Sequence, residues 1–157
     1  MAKKTSSSAS STKPDPVTAY AEAVLRGEIV TGKPVRLACA RHLRDIGQAK
    51  EKRLEWRPVE ALRAIEFFRD CLLLEKGQPF VLQPFQEFII GSLFGWYGVD
   101  GYRRFRTAYI EQGKGNGKTP SAAGIGLYGL VADDEPSSEI YSAAVTKEQA
   151  AICFKDA

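Results

Sequence analysis

The sequence predicts an α/β fold, in which an N-terminal helical segment precedes the first strands and helices of a parallel sheet. From Pro16 to Tyr97 the apolar residues recur at the three- and four-residue spacing of helices. Beyond that point two short segments rich in β-forming residues, 107–111 and 139–145, alternate with further helical patterns. A glycine-rich loop joins the first of these segments to the helix that follows it. Strands that alternate with helices in this way indicate a parallel sheet.

The composition is that of a soluble globular protein of about one domain. The chain has 157 residues, of which 44% are hydrophobic and 26% are charged. No apolar run approaches the roughly 18–20 residues that a membrane span requires, so no membrane association is expected. The three cysteines lie far apart in the sequence, which favours free thiols in a reducing compartment such as the cytoplasm.

Residues 1–14 are rich in serine, threonine and lysine, and they are predicted to form a flexible N-terminal arm because they offer little apolar surface to bury. Residues 15–98 are predicted to form a helical region. Each helix is indicated by an apolar stripe, and prolines open the third and fourth helices. The four stripes are Val17, Tyr20, Val24 and Leu25; Val35, Cys39, Leu43 and Ile46; Leu62, Ile65, Phe68 and Leu72; and Phe85, Phe88, Ile89 and Leu93.

Lysine and arginine are concentrated in particular segments, although the net charge is only +3. One basic segment runs from Arg36 to Arg57, and another runs from Arg103 to Arg106. Such segments are typical either of solvated helix faces or of surfaces that contact phosphates. The sequence leaves both interpretations open.

Two other polar features are predicted to have no chemical role. The only histidine, His42, is expected on a helix surface, and a single histidine excludes a His-based metal site within the chain. The acidic run Asp133–Glu135 comes at the end of a predicted helix and directly before a proline. We therefore expect this run to form a solvated turn.

The most informative segment is the loop Gly113-Lys114-Gly115-Asn116-Gly117-Lys118-Thr119, which follows a predicted strand and precedes a predicted helix. Glycines keep such a loop thin and permit positive φ angles, so that several backbone N–H groups can converge on phosphate oxygens. The N-terminus of the helix adds free N–H groups and a positive dipole. Lys118 supplies a positive charge for the β- and γ-phosphates, and the Thr119 hydroxyl is a ligand for Mg²⁺.

This loop is a variant of the Walker A pattern G-x-x-x-x-G-K-[ST]. Gln112 stands where the first glycine of that pattern belongs, and the nearest glycine is Gly113, one position later. The alternative is a glycine-rich surface turn in which the Gly-Lys-Thr sequence occurs by chance. The predicted strand before the loop and the predicted helix after it favour phosphate binding.

With this loop and its flanks, the chain resembles the large terminase subunits of tailed double-stranded DNA phages, which are ATP-driven motors that package the genome. Their Walker A loop is typically a variant with a basic residue and Asn-Gly-Lys-[Ser/Thr], and residues 114–119 are similar to it. The resemblance spans residues 16–157, and its specificity comes from the ordered set of segments. These segments are Tyr20–Asp45, Phe80–Trp96, Arg103–Thr119 and Glu139–Ala150.

The resemblance implies an incomplete P-loop ATPase core of the ASCE type over residues 99–157, with ATP and Mg²⁺ as cofactors. It implies Lys118 and Lys114 as catalytic residues, because Lys114 occupies the position of an arginine that contacts the γ-phosphate in the family. Gln86 matches a glutamine that reads the adenine edge, and Thr119 would hold Mg²⁺. The implied nucleotide-binding residues are Gln86, Gly113, Lys114, Gly115, Asn116, Gly117, Lys118 and Thr119.

The same resemblance implies the partners of a packaging motor, namely double-stranded DNA, the terminase small subunit and the capsid portal. The full-length protein is expected to form a homo-oligomeric ring in the bacterial host cytoplasm and to act transiently at the procapsid. No convincing Walker B acid follows Thr119, and the family's nuclease domain has no counterpart in the chain. We therefore expect a segment of a longer protein that hydrolyses ATP negligibly by itself.

Two alternative functions remain open. The first is another P-loop ATPase, such as a helicase-like enzyme or a small kinase, although neither an acceptor pocket nor an arginine-rich lid is visible in the sequence. The second is a DNA-binding or adaptor fragment without ATPase activity. Binding of DNA through Arg36–Arg57 would weaken steeply with salt and would not require Lys118.

Overall fold

The computed structural model describes residues 15–74, 77–134 and 136–155, and this part of the chain contains six helices and four short strands. The predicted arm, residues 1–14, lies outside the described residues. In chain order the elements are α1 (Pro16–Arg26), α2 (Lys33–Gly47), β1 (Leu54–Trp56), α3 (Pro58–Cys71), β2 (Leu73–Leu74), β3 (Gln78–Pro79), α4 (Pro84–Gly95), β4 (Trp96–Gly98), α5 (Lys118–Val131) and α6 (Lys147–Lys155).

The four helices predicted before residue 98 are confirmed. Each of α1 to α4 has a proline in its first turn, where the missing N–H group costs little because it has no partner within the helix. Asp15 caps α1, since its Oδ1 atom accepts from the N–H groups of Val17 and Thr18 at 3.0 Å. Gly27, with φ of 80°, ends the same helix in the left-handed conformation that favours glycine.

The structure adds two antiparallel strand pairs that the sequence analysis did not predict. β1 pairs with β4, with Trp56 opposite Trp96, and β2 pairs with β3. These strands contain only two or three residues each, so they are too short to produce a recognisable alternation of apolar and polar residues.

The predicted strands at 107–111 and 139–145 are wrong for this structure, because neither segment forms a strand. A strand requires a hydrogen-bonded neighbour, and no described segment pairs with either of them. Their aromatic side chains are accordingly in solvent, with Tyr109 87% and Tyr141 84% exposed. The parallel sheet is therefore not observed. The mixture of helices and small sheets is compatible with an incomplete α/β domain.

Both helices predicted in the second half are present. α5 follows the glycine-rich loop directly, since it begins at Lys118. α6 has a side-chain cap, since the Gln149 N–H group donates to Thr146 Oγ1 at 3.2 Å.

The hydrophobic core lies among α1, α3 and α4, and α5 packs onto it through very close contacts. A Cβ atom at Gly124 of α5 would lie 2.3 Å from the Phe68 ring of α3. One turn later the Tyr128 ring lies edge-on to Phe67 and Phe94, with ring centroids 5.3 and 4.6 Å apart. This packing fixes the helix that begins at the glycine-rich loop against the helical region.

A buried chain of hydrogen bonds joins α1, α2 and β4. The Trp96 Nε1–H group donates to His42 Nδ1 at 3.0 Å, so the proton of the neutral imidazole is on Nε2. That atom lies 3.1 Å from Thr18 Oγ1, whose hydroxyl donates to Asp15 Oδ2 at 2.8 Å. Each polar group in the chain therefore has a partner of the correct type.

The prediction that His42 lies on a helix surface is wrong. Its side chain is 3% exposed and has the rings of Trp56, Phe88 and Trp96 around it. Burial lowers the pKa of His42 from 6.5 to about 4, a shift that the charges of Asp15 and Asp45 oppose and that of Arg104 reinforces. His42 is therefore neutral at pH 7.

Asp45 is the buried carboxylate of the helical region, with a side chain that is 1% exposed. It accepts from Lys52 Nζ at 2.5 Å and from Arg104 at 2.7 Å. Burial by itself raises the pKa of Asp45, but the hydrogen bonds from these two cations outweigh it and lower that pKa below its ordinary value. Arg104 thereby ties the segment before the glycine-rich loop to α2.

We expect the protein to lose stability as the pH falls from about 6.5 to about 4. In that interval the unfolded chain protonates His42 while the folded protein keeps it neutral, so the unfolded state binds more protons. The loss attributable to His42 is at most about 3 kcal/mol. Urea denaturation measured at a series of pH values gives the free energy of unfolding.

The matched variant is His42→Gln, which has no titrating group at that position. Its stability is expected to be nearly constant between pH 6.5 and 5. At lower pH its stability falls, because Asp45 is protonated in the unfolded chain before it is protonated in the folded protein. The same slope in both proteins would contradict the assignment of this pH dependence to His42.

We expect Gly124→Ala to destabilise the protein by about 1–3 kcal/mol, because the new methyl group overlaps the Phe68 ring. Gly129→Ala is the matched control in the same helix, since its Cβ atom would lie 3.5 Å from Ile140, which is ordinary contact. Alanine favours a helix over glycine, so this control is expected to be neutral or slightly stabilising. Equal midpoints of thermal unfolding for the two variants would refute the close contact.

Candidate functional site

The loop from Gln112 to Lys118 turns into the N-terminus of α5 through two glycines with positive φ angles. Gly115 has φ of 85°, and Gly117, the N-cap of α5, has φ of 69°. Residues that have a Cβ atom rarely adopt this backbone conformation. The positive φ angles at positions 115 and 117 therefore explain why both residues are glycine.

The backbone amides of the loop are free to bind a ligand. Within the described residues, no N–H group from Gly113 to Thr119 donates a hydrogen bond, and no side chain caps α5. These donors lie at the positive end of the helix dipole. A loop with this geometry can accept an anion that offers several oxygen atoms.

Lys118 and Lys114 place two ammonium groups on the loop. The Lys118 side chain reaches back over the loop, and its Nζ atom donates to the carbonyl oxygen of Gln112 at 2.6 Å. Lys114 is exposed and makes no ion pair with any described residue. Thr119 follows Lys118 in the first turn of α5 and is partly buried.

Gln86, which is 30 positions before Asn116 in the sequence, lies directly against the loop. It is in the first turn of α4, and only 5% of it is exposed. Its Nε2 atom lies 3.4 Å from the carbonyl oxygen of Asn116 and 3.3 Å from Ser121 Oγ. The structure thus brings Gln86 together with the predicted loop residues.

A cavity of about 180 Å³ adjoins the loop. Its polar wall contains Gln86, Gln112, Lys118 and Ser121, and isoleucines of α4 and α5 form much of the remaining wall. The Oε1 atom of Gln112 is buried and has no hydrogen-bond partner among the described residues.

Sequence reasoning missed the roles of Ser121 and Gln112. Ser121 is in the first turn of α5, where the Walker A pattern assigns no residue, so no motif could have indicated its contact with Gln86. Gln112 did have a signal, because it replaces the first glycine of the pattern. Its carbonyl oxygen is the atom that holds the Lys118 ammonium.

The prediction of a solvated turn at Asp133–Glu135 is only partly correct. Asp134 is exposed and pairs with Arg63 at 2.8 Å, whereas Glu135 is outside the described residues. The Asp133 side chain is only 10% exposed, since Arg103 forms a bidentate ion pair with its carboxylate. This pair connects the segment before the loop to the residues that directly follow α5.

The described residues were also compared with the requirements of a metal site and of a membrane-spanning helix. Among the described residues, no group of three or more histidine, cysteine, aspartate or glutamate side chains is placed to hold a metal ion. None of the helices in the described part of the chain is both long enough and apolar enough to cross a bilayer.

Residues 84–157 match the family model of the terminase large subunit ATPase domain. Those residues belong to that family. The match begins at the first residue of α4 and includes Gln86, the whole glycine-rich loop and α5. No curated protein and no solved structure matches the chain. The terminase resemblance inferred from the sequence is thereby confirmed over residues 84–157, and the chain carries a terminase ATPase segment.

Proposed function

We propose that residues 113–119 bind Mg-ATP, and that hydrolysis of ATP in the full-length terminase subunit powers the packaging of double-stranded DNA into the capsid. The observation that carries this proposal is the row of unpaired loop amides at the N-terminus of α5. Membership of residues 84–157 in the terminase ATPase family supports the choice of ATP over another phosphate compound.

The donor set fits a magnesium-bound triphosphate. The loop amides would hold the phosphate oxygens, and Lys118 would move from the Gln112 carbonyl to the β- and γ-phosphates. Lys114, which is exposed on the same loop, would contact the γ-phosphate as the second catalytic lysine. The hydroxyl of Thr119 would ligate Mg²⁺, which neutralises phosphate charge when it is bound.

The remaining parts of the proposal concern the full-length protein. Its partners would be double-stranded DNA, the terminase small subunit, the capsid portal and further copies of itself in a ring. It would act in the cytoplasm of the bacterial host and transiently at the procapsid. The 157-residue chain by itself is expected to hydrolyse ATP only at background rates, because no convincing Walker B acid follows Thr119 in it.

One observation favours DNA contact as a second function of the same chain. The guanidinium groups of Arg41 and Arg104, from the two basic segments, both lie against the Phe105 ring, 5.1 and 4.9 Å from its centroid. Arg104 is held by Asp45, whereas Arg41 is exposed and forms no ion pair with the described residues. Arg41 is therefore available to a DNA phosphate.

Lys118→Ala is expected to lower the affinity of the 157-residue chain for Mg-ATP by about tenfold or more, because it removes charge-assisted hydrogen bonds to phosphate. Thr119→Val is expected to lower the affinity only when Mg²⁺ is present. Isothermal titration calorimetry with and without Mg²⁺ measures both effects.

Lys147→Ala is the control for this experiment, since it removes an exposed lysine in the first turn of α6. Its affinity is expected to equal that of the wild-type protein. The proposal fails if the wild-type chain does not bind Mg-ATP, or if the Lys118 and Lys147 variants bind it equally well.

Arg41→Ala is expected to weaken binding of the chain to a random-sequence DNA duplex and to reduce the slope of log K against log salt by about 0.9. Arg69→Ala changes the net charge by the same amount, but Arg69 is already paired with Asp70, so its effect is expected to be smaller. Fluorescence anisotropy at several salt concentrations measures these slopes. Equal slopes for the two variants would argue against a DNA contact at Arg41.

A further inference from the structure

The carboxamide of Gln86 connects the N-termini of two helices. Its Oε1 atom accepts from the Gln83 N–H group at 2.8 Å, which completes the capping box of α4. Its Nε2 atom faces the carbonyl oxygen of Asn116 and the hydroxyl of Ser121. One side chain therefore caps α4 and contacts both the glycine-rich loop and the first turn of α5.

The orientation of this carboxamide follows from its partners. The Gln83 N–H group can only donate, so it requires the oxygen atom of Gln86, and the Asn116 carbonyl can only accept, so it requires the NH₂ group. Both ends of the amide are thus engaged within the protein. As the structure stands, neither end is turned toward a ligand that binds over the loop.

The loop backbone also packs tightly on Gln86. A Cβ atom at Gly117 would lie 3.0 Å from the Nε2 atom of Gln86. Gly115 has a similarly positive φ angle, but a Cβ atom there would meet nothing within 4 Å. Gly117 is therefore the point at which the loop rests on Gln86.

We propose that Gln86 is a positioning residue that holds Asn116 and Gly117 in the conformation that leaves the loop amides free for phosphate. This inference rests on the proposed binding of Mg-ATP to the loop and deepens it. It assigns Gln86 to the phosphate part of the nucleotide, in contrast to a role in reading the adenine base. A loop that is already ordered loses less conformational entropy when the nucleotide binds.

The test uses Gln86→Met, which has a similar length but cannot donate a hydrogen bond. Affinities of the full chain for Mg-ATP, Mg-GTP and Mg-tripolyphosphate are measured by calorimetry. If Gln86 acts through the loop, all three affinities fall by the same factor, on the order of 3- to 10-fold. A fall confined to Mg-ATP, or no fall for any ligand, would overturn the proposal.

Gln83→Ala is the matched control, because it removes the other side chain of the same capping box without touching the loop. Its affinities for the three ligands are expected to equal those of the wild-type protein. If Gln83→Ala and Gln86→Met lower the affinities equally, the effect belongs to the cap of α4 and the proposal is wrong.

A second measurement without nucleotide separates this inference from the proposed function. Trypsin cleaves after Lys114 in the loop and after Lys50 in a distant exposed turn, and mass spectrometry compares the two rates. Gln86→Met is expected to raise cleavage after Lys114 several-fold and to leave cleavage after Lys50 unchanged. An unchanged ratio would refute the positioning role, whereas a wild-type chain that binds none of the three ligands would refute the proposed function.

Discussion

The contact between Phe68 and Gly124 determines where the candidate site lies relative to the rest of the molecule. Any larger residue at position 124 would force α5 away from α3, because the Phe68 ring occupies the space that a Cβ atom needs. α5 begins at Lys118, so the direction of its positive end and the position of the loop follow from packing that occurs two turns further along the helix. Gln86 then supports the loop from α4. The site is local in sequence, but its placement depends on the helical region.

The helical region is in turn held together by buried polar groups. The chain of hydrogen bonds through His42 satisfies every donor and acceptor that it buries, which is the condition under which burial of polar groups is tolerated. The buried negative charge of Asp45 is likewise compensated, since Lys52 and Arg104 both donate hydrogen bonds to its carboxylate. Arg104 belongs to the basic segment before the loop, so part of the positive charge visible in the sequence is used within the fold.

Membership of residues 84–157 in the terminase ATPase family and the geometry of the loop support the same proposal. The family match concerns sequence pattern, whereas the unpaired amides and the left-handed Gly115 and Gly117 concern backbone conformation. What the match leaves open is how each side chain acts. Gln86 illustrates this point, because the family resemblance directs it to the base and its contacts direct it to the loop.

The sequence by itself determined the helices, their proline starts and the glycine positions of the loop, because each depends on residues within a few positions of one another. It did not determine the strands, since a strand requires a pairing partner that is often distant in the chain. β1 pairs with β4, about 40 positions later, whereas segments 107–111 and 139–145 have no such partner among the described residues. The burial of His42 and the engagement of Gln86 were likewise decided by tertiary structure. The hydrogen-bond partners of His42 and the two partners of Gln86 Nε2 lie more than 20 positions away, and no local pattern encodes such contacts.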